Sequence, residues 1–164
     1  MGRGSMQHFL HIESSGYGAG SYPIEVGVVR ADGQAHCTLI YPQDDWTAWQ
    51  SESEATHGIS RDILLVKGKS ALKVAMLLNE WLDGETIYSE AWGNHCCWLD
   101  SLFQAAGVRQ RFIVDAVESL LPTVQMSDWL KRKQSVAQSL DMTRRRASRQ
   151  ALLRQKTLQS LMDG

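Results

Sequence analysis

The sequence is short of cysteine, of net charge and of long apolar runs, and each shortage excludes something. Its three cysteines are Cys37, Cys96 and Cys97. The number is odd, two are adjacent and none has C-x-x-C spacing, which argues against a disulfide framework and against a zinc ribbon. No stretch approaches the ~20 apolar residues of a membrane-spanning helix, and no signal-peptide core is present. No internal repeat is visible. A reduced, cytoplasmic protein without a membrane partner is the expectation. The net charge of -1 conceals an asymmetry. From Gln104 onward eleven Arg and Lys stand against five Asp and Glu, which leaves -7 for the rest of the chain. A basic tail on an acidic body serves either a polyanion or the acidic face of a partner, or is a solvated helix face.

What is present fits an ordinary folded domain. The 164 residues suffice for one domain with a genuine core. The 43% apolar and 21% charged fractions are typical. Met1-Gly2-Arg3-Gly4-Ser5 reads as a cloning remnant ahead of a natural start at Met6, so residues 6–164 are expected to form the single domain.

Hydrophobic patterning predicts the order of elements. Gln7 to Ile12 is a short strand, and "IEVGVVR" (24–30) is β-branched and apolar. Asp32-Gly33 turns it into "QAHCTLIY" (34–41), giving a three-stranded antiparallel meander that Pro42 ends. Residues 43–69 read as a loop region with a short helical piece around Trp46 to Ser51. "SALKVAMLLNEWL" has helical spacing, with Ser70 as N-cap and Gly84 past the end. "ETIYSE" is a strand, "CCWLDSLFQAAG" a helix stopped by Gly107, and "RFIVDA" another strand. Pro122 and Ser127 punctuate a helical stretch, and Thr143 to Met162 is a terminal amphipathic helix. Strand–helix alternation in the second half implies parallel strands joined by right-handed crossovers, hence a mixed sheet flanked by helices.

Chemistry concentrates at the end of the first strand. His11 and Glu13 lie two apart and share a face, followed by Ser14-Ser15-Gly16 at the edge where α/β sheets place ligands. "HIESSGYGAGSYPIEVGVV", "ATHGIS", "IYSEAWGNHCCWLDSLFQAAGV" and "RRRASRQAL" follow the order and approximate spacing of a known family. On these segments the chain resembles the DEDD 3′-5′ exonucleases, hydrolases with an RNase H-like fold. The likeness runs over nearly the whole chain from Met6. "YPIEVGVV" and "HGIS" are its most specific pieces, and both are scaffold.

The resemblance implies a two-metal nuclease, and the implied catalytic positions are where the sequence departs. His11 stands at the Asp of the family's D-x-E motif, while Glu13 keeps the Glu. Aligning "NHCCWL" with the second motif puts His95 at its Asp, with Glu90, Asn94 and Asp100 close by. The third motif, H-x-x-x-x-D, places Arg145 at the general-base His and Gln150 at the last Asp. One carboxylate of four survives. Mg²⁺ wants hard oxygen ligands, and an arginine cannot act as a base near neutral pH. No cofactor is therefore expected, and Mg²⁺ or Mn²⁺ belongs to the active reading, in which carboxylates such as Glu90, Asp100 or Asp141 shift in. His11, Glu13 and His95 also make a transition-metal ligand set of two imidazoles and a carboxylate. The plainer reading has both histidines drifted into vacated positions.

Arg144, Arg145, Arg146 and Arg149 turn a metal site into one that can hold phosphate directly, with Arg145 and Arg149 spaced as an i, i+4 clamp. The alternative is a solvated face. Among six tryptophans, Trp81 and Trp98 read as core and Trp92, ahead of His95, as a stacking residue for a base. Trp46 and Trp49 lie in a polar stretch that can serve as an interaction surface. Cys96-Cys97 at a helix start reads as small buried residues before it reads as a nucleophile, and His57-Gly58 as a turn. The expected function is an exonuclease-like pseudoenzyme that binds single-stranded nucleic acid or a nucleotide. The alternatives are an active exonuclease with rearranged carboxylates and a protein-interaction module on a retired nuclease scaffold. Relatives of this fold that dimerise add a homodimer to the expected partners.

Overall fold

The computed structural model describes residues 6–143 and 145–164, apart from the side chains of Thr123 and Val124. The expected cloning remnant and Arg144 lie outside the described residues. Five strands form one mixed sheet: β1 (His8–Ser14), β2 (Pro23–Val29), β3 (Ala35–Leu39), β4 (Thr86–Ser89) and β5 (Ile113–Ala116). Their order across the sheet is β3-β2-β1-β4-β5. The first three are an antiparallel meander, while β4 pairs parallel to β1 and β5 parallel to β4. This is the expected α/β architecture. Gly33, at φ +90°, closes the β2–β3 hairpin, where Arg30 N–H donates 2.8 Å to the Gln34 carbonyl.

Helices cover both faces. On one lie α3 (Ala71–Leu82) and α4 (Trp92–Ala106), which press Val74, Leu78, Leu82, Trp98 and Leu102 onto Leu10, Ile12, Val26 and Val28. On the other, α5 (Thr123–Ser139) and α6 (Ala147–Asp163) bring Trp129, Ala151, Leu158 and Leu161 to Phe9 and Val29. Ser70 caps α3 as expected, its side chain accepting the Lys73 N–H at 3.1 Å.

Four boundaries differ from the sequence expectation. The helical piece lies not at Trp46–Ser51 but in two short helices, α1 (Ser51–His57) and α2 (Arg61–Lys67). Gly58, at φ +72°, ends the first, and the Ser60 hydroxyl caps the second, which buries Leu64 against Tyr22 and Ile24. Trp46 and Trp49 are half-buried on that same cluster, Trp46 stacked 5.4 Å from Tyr22, so neither stands clear as a docking surface. α4 starts at Trp92, four residues before the expected Cys96. Ser127 lies within α5 rather than breaking it.

The fourth difference concerns α6, which begins at Ala147 rather than Thr143. Buried Glu25 decides that start. One carboxylate oxygen accepts the Ala147 N–H at 2.7 Å and the other the Arg146 Nε–H at 2.9 Å. Gly27, two residues along β2, lets the helix approach, since a Cβ there would lie 2.1 Å from Ser148 N. The N-terminus of the C-terminal helix is thus pinned to the sheet by a carboxylate and a missing side chain.

Candidate functional site

His8↔Ile87 and Phe9↔Tyr88 are the β1–β4 register pairs, and beyond them the two strands part. His95, from the first turns of α4, fills the wedge. Its ring is buried, with Nδ1 2.6 Å from the Ser89 hydroxyl of β4 and Nε2 accepting the Ile12 N–H of β1 at 3.4 Å. The second contact assigns the proton to Nδ1, which donates to Ser89. Burial, with the charges of His11 and Arg154 adding to it against Glu90, pushes the His95 imidazole down to about 3. His95 is a neutral ring that splices two strands.

His11 and Glu13 share a face of β1, as expected, and bind one another: His11 Nε2 lies 2.9 Å from Glu13 Oε1. Burial pushes the Glu13 carboxyl up, but the His11 hydrogen bond and charge, with those of His57 and Arg154, outweigh it and hold the carboxyl below its usual value. The two imidazoles meet edge-on at 5.2 Å. No group of three His, Cys, Asp or Glu is arranged to hold a metal among the described residues. His11, Glu13 and His95 stand together, and both nitrogens of His95 are engaged by β1 and β4.

These residues line a cleft of about 340 Å³. Glu13, His11, His95, Arg145 and Gln150, remote in sequence, converge there, joined by Tyr17, Asn94 and Arg154. Arg145 donates through Nη1 to the Thr56 carbonyl across the cleft. Gln150 is occupied: its Oε1 accepts from Arg154 Nη1. Arg154 Nε donates to Glu90 at 2.8 Å, and Lys133 Nζ reaches the other oxygen of that carboxylate at 2.7 Å. Burial raises the Glu90 carboxyl, and the two cations more than reverse it. Of the replacement carboxylates considered, Glu90, Asp100 and Asp141, none lines the cleft. Mg²⁺ or Mn²⁺ does not fit this set. A single carboxylate, already bridged by His11, faces a tied-up amide and two guanidinium groups, where a pair of dications needs several anionic oxygens.

Two expected binding residues stand elsewhere. Arg145 precedes α6, and Arg149 turns its guanidinium to the Asp141 carbonyl, so the i, i+4 clamp does not form. Trp92 opens α4 and donates through Nε1 to the Val114 carbonyl at 3.0 Å, half-exposed over β5 and away from the cleft. Tyr17, rather than Trp92, is the exposed aromatic residue at the cleft. It is 65% exposed, lines the cleft and packs 6.1 Å from Trp98. Gln50 grips its backbone from both sides, accepting Tyr17 N–H at 3.3 Å and donating to its carbonyl at 3.1 Å. That grip needs Gly16, where a Cβ would fall 2.3 Å from Gln50 Cδ. Sequence reasoning missed Tyr17 and Arg154. "GYG" after the strand hinted at the first, and the i, i+4 spacing of Gln150 and Arg154 at the second.

The histidine of "HGIS" is buried at the end of α1, where its Nδ1 accepts the Ile59 N–H at 3.0 Å. Burial lowers its basicity despite nearby Glu13 and Glu54. Burial also raises the thiols of Cys37 and Cys96, the opposite of an activated nucleophile.

No protein-family model matches the chain, and no curated protein sequence does. Solved structures do match. E. coli exonuclease I in complex with a 5cy-dT13 oligonucleotide superposes over 97% of this chain and 42% of its own, with TM-score 0.68 and 11% identity. The fold is shared with exonuclease I. A second exonuclease I structure gives TM-score 0.67 and 12% identity over the same shares. The E. coli enzyme in complex with a dA16 oligonucleotide gives 0.57 and 12%, over 80% of this chain and 30% of its own. The chain thus spans less than half the length of these exonuclease I chains. No helix is long and apolar enough to cross a membrane among the described residues.

Proposed function

We propose that this chain is a catalytically retired member of the DEDD exonucleases that binds single-stranded nucleic acid in the cleft beside β1. The observation that carries the reading is the composition of the cleft: two guanidinium groups, Arg145 and Arg154, stand with one carboxylate, Glu13. A two-metal nuclease has the opposite balance. Arg145 and Arg154 meet backbone phosphates, and exposed Tyr17 offers a ring on which a base stacks. The fold shared with exonuclease I, whose structures hold oligonucleotides, supports the assignment.

The test uses labelled oligo(dT) and oligo(U) with the full chain. Binding should weaken about tenfold between roughly 50 and 200 mM salt if two to three phosphates are neutralised. No strand should shorten in Mg²⁺ or Mn²⁺. Metal-dependent shortening that Glu13→Ala abolishes would establish an active exonuclease instead. A chain that binds no strand but holds a co-purifying protein would point to the interaction module.

A further inference from the structure

The two arginines of the cleft hold donors in reserve. Arg154 commits Nε to Glu90 and Nη1 to Gln150, and Arg145 commits Nη1 to the Thr56 carbonyl. Nη2 of Arg154, and Nε and Nη2 of Arg145, meet no acceptor among the described residues. The first turn of α4 reaches the same cleft at Ala91 and Asn94, and no side chain caps its N–H groups. Forked guanidinium donors and the positive end of a 15-residue helix converge on one cavity.

That convergence favours one kind of anion. A phosphodiester inside a strand carries one negative charge, whereas a phosphate monoester carries about -1.5 to -2 near pH 7 and offers three strong acceptor oxygens. The cavity, about 340 Å³, has the size of a small-molecule pocket and suits a single terminal nucleotide better than the middle of a strand. Glu13 opposes an anion, but its Oε1 is already bridged by His11 at 2.9 Å. Glu90 is held by Arg154 and Lys133 together.

We infer that the cleft takes a phosphate monoester, on a strand end or a mononucleotide, directly on Arg145 and Arg154 with no metal ion between. The inference rests on the binding function proposed above and names the chemical group that the site selects. Arg154 is fixed in place by Glu90, so its free edge is presented at little cost in side-chain entropy.

The experiment measures fluorescence anisotropy of 5′-labelled oligo(dT) ending in a 3′-phosphate or a 3′-hydroxyl, in EDTA, with the full chain. Thymidine 3′-monophosphate binding is measured alongside by calorimetry. The phosphorylated strand should bind about tenfold more tightly, as charge-assisted bonds to a dianion require. Arg154→Gln should erase that preference. Arg145→Gln, which breaks no ion pair, should reduce it in a chain whose circular dichroism is unchanged, which separates the effect from misfolding. Equal affinity for both ends, or a preference that appears only with Mg²⁺, would overturn the monoester site and leave strand binding standing. Monophosphate binding without strand binding would support the monoester site and overturn strand binding. Binding of neither would overturn both.

Discussion

The two faces of β1 differ in what they tolerate. Leu10 and Ile12 look into a cluster of aliphatic and aromatic side chains from α3 and α4. Phe9, His11 and Glu13 look the other way, toward α6 and the ion pairs around Glu90 and Glu25. The first face is close-packed and its cost of change is set by volume. The second combines an apolar cluster around Phe9 with hydrogen bonds and charges around His11, Glu13 and Glu90, whose partners can change together. Scaffold and chemistry are thus carried by opposite sides of one strand. Polar groups on one side can be exchanged while the other side keeps the fold.

Three measurements press on this contrast. Leu78→Ala, at a fully buried position of the apolar face, should cost about 2–5 kcal/mol in chemical denaturation. A cost below 1 kcal/mol would mean that this face does not carry the fold. The polar face should show itself in the pH dependence. His95 titrates near 6.5 when unfolded and at about 3 when folded, so the unfolded chain binds the extra proton between those values. Stability is then complete above about pH 6.5 and falls as pH falls toward 3, by about 2 kcal/mol between pH 6 and pH 4 from this group. Glu13 and Glu90, both held low, lose their contributions in the same direction at lower pH. His95→Gln should flatten the upper part of the profile, and an unchanged slope would dismiss the neutral buried imidazole. The smallest effect is expected at Glu13. Glu13→Gln should move stability by less than about 1 kcal/mol, as the amide oxygen still accepts from His11, and should tighten strand binding by removing the opposing charge. Weaker binding would make Glu13 a ligand-holding residue.

What the sequence made legible divides along the same line. The meander, α3 with its Ser70 cap, and the end of α4 at Gly107 follow from local patterning, because strand alternation and helix caps are short-range. α1 and α2 were illegible as helices. Seven residues each, they bury His57 and Leu64 respectively, too little for a periodic signal. The start of α6 depends on Glu25, more than 100 residues away, and no local cue replaces that contact. In the cleft, the places of His11, Glu13, His95, Arg145 and Gln150 came from motif spacing. The roles of His95 and Gln150 did not, for they depend on partners brought by Ser89, Ile12 and Arg154. Tyr17 is set by a glycine that admits Gln50, a fit that only the folded loop displays.

The docking of α6 on Glu25 and Gly27 also gives the cleft a birthday. A nascent chain emerges from its N-terminus, so the sheet strands and α4 leave the ribosome well before Gln150 and Arg154 do. Until α6 is made and seated, the pocket has a floor and one wall, with neither of these side chains across from His11. The cleft is therefore completed only once α6 is seated.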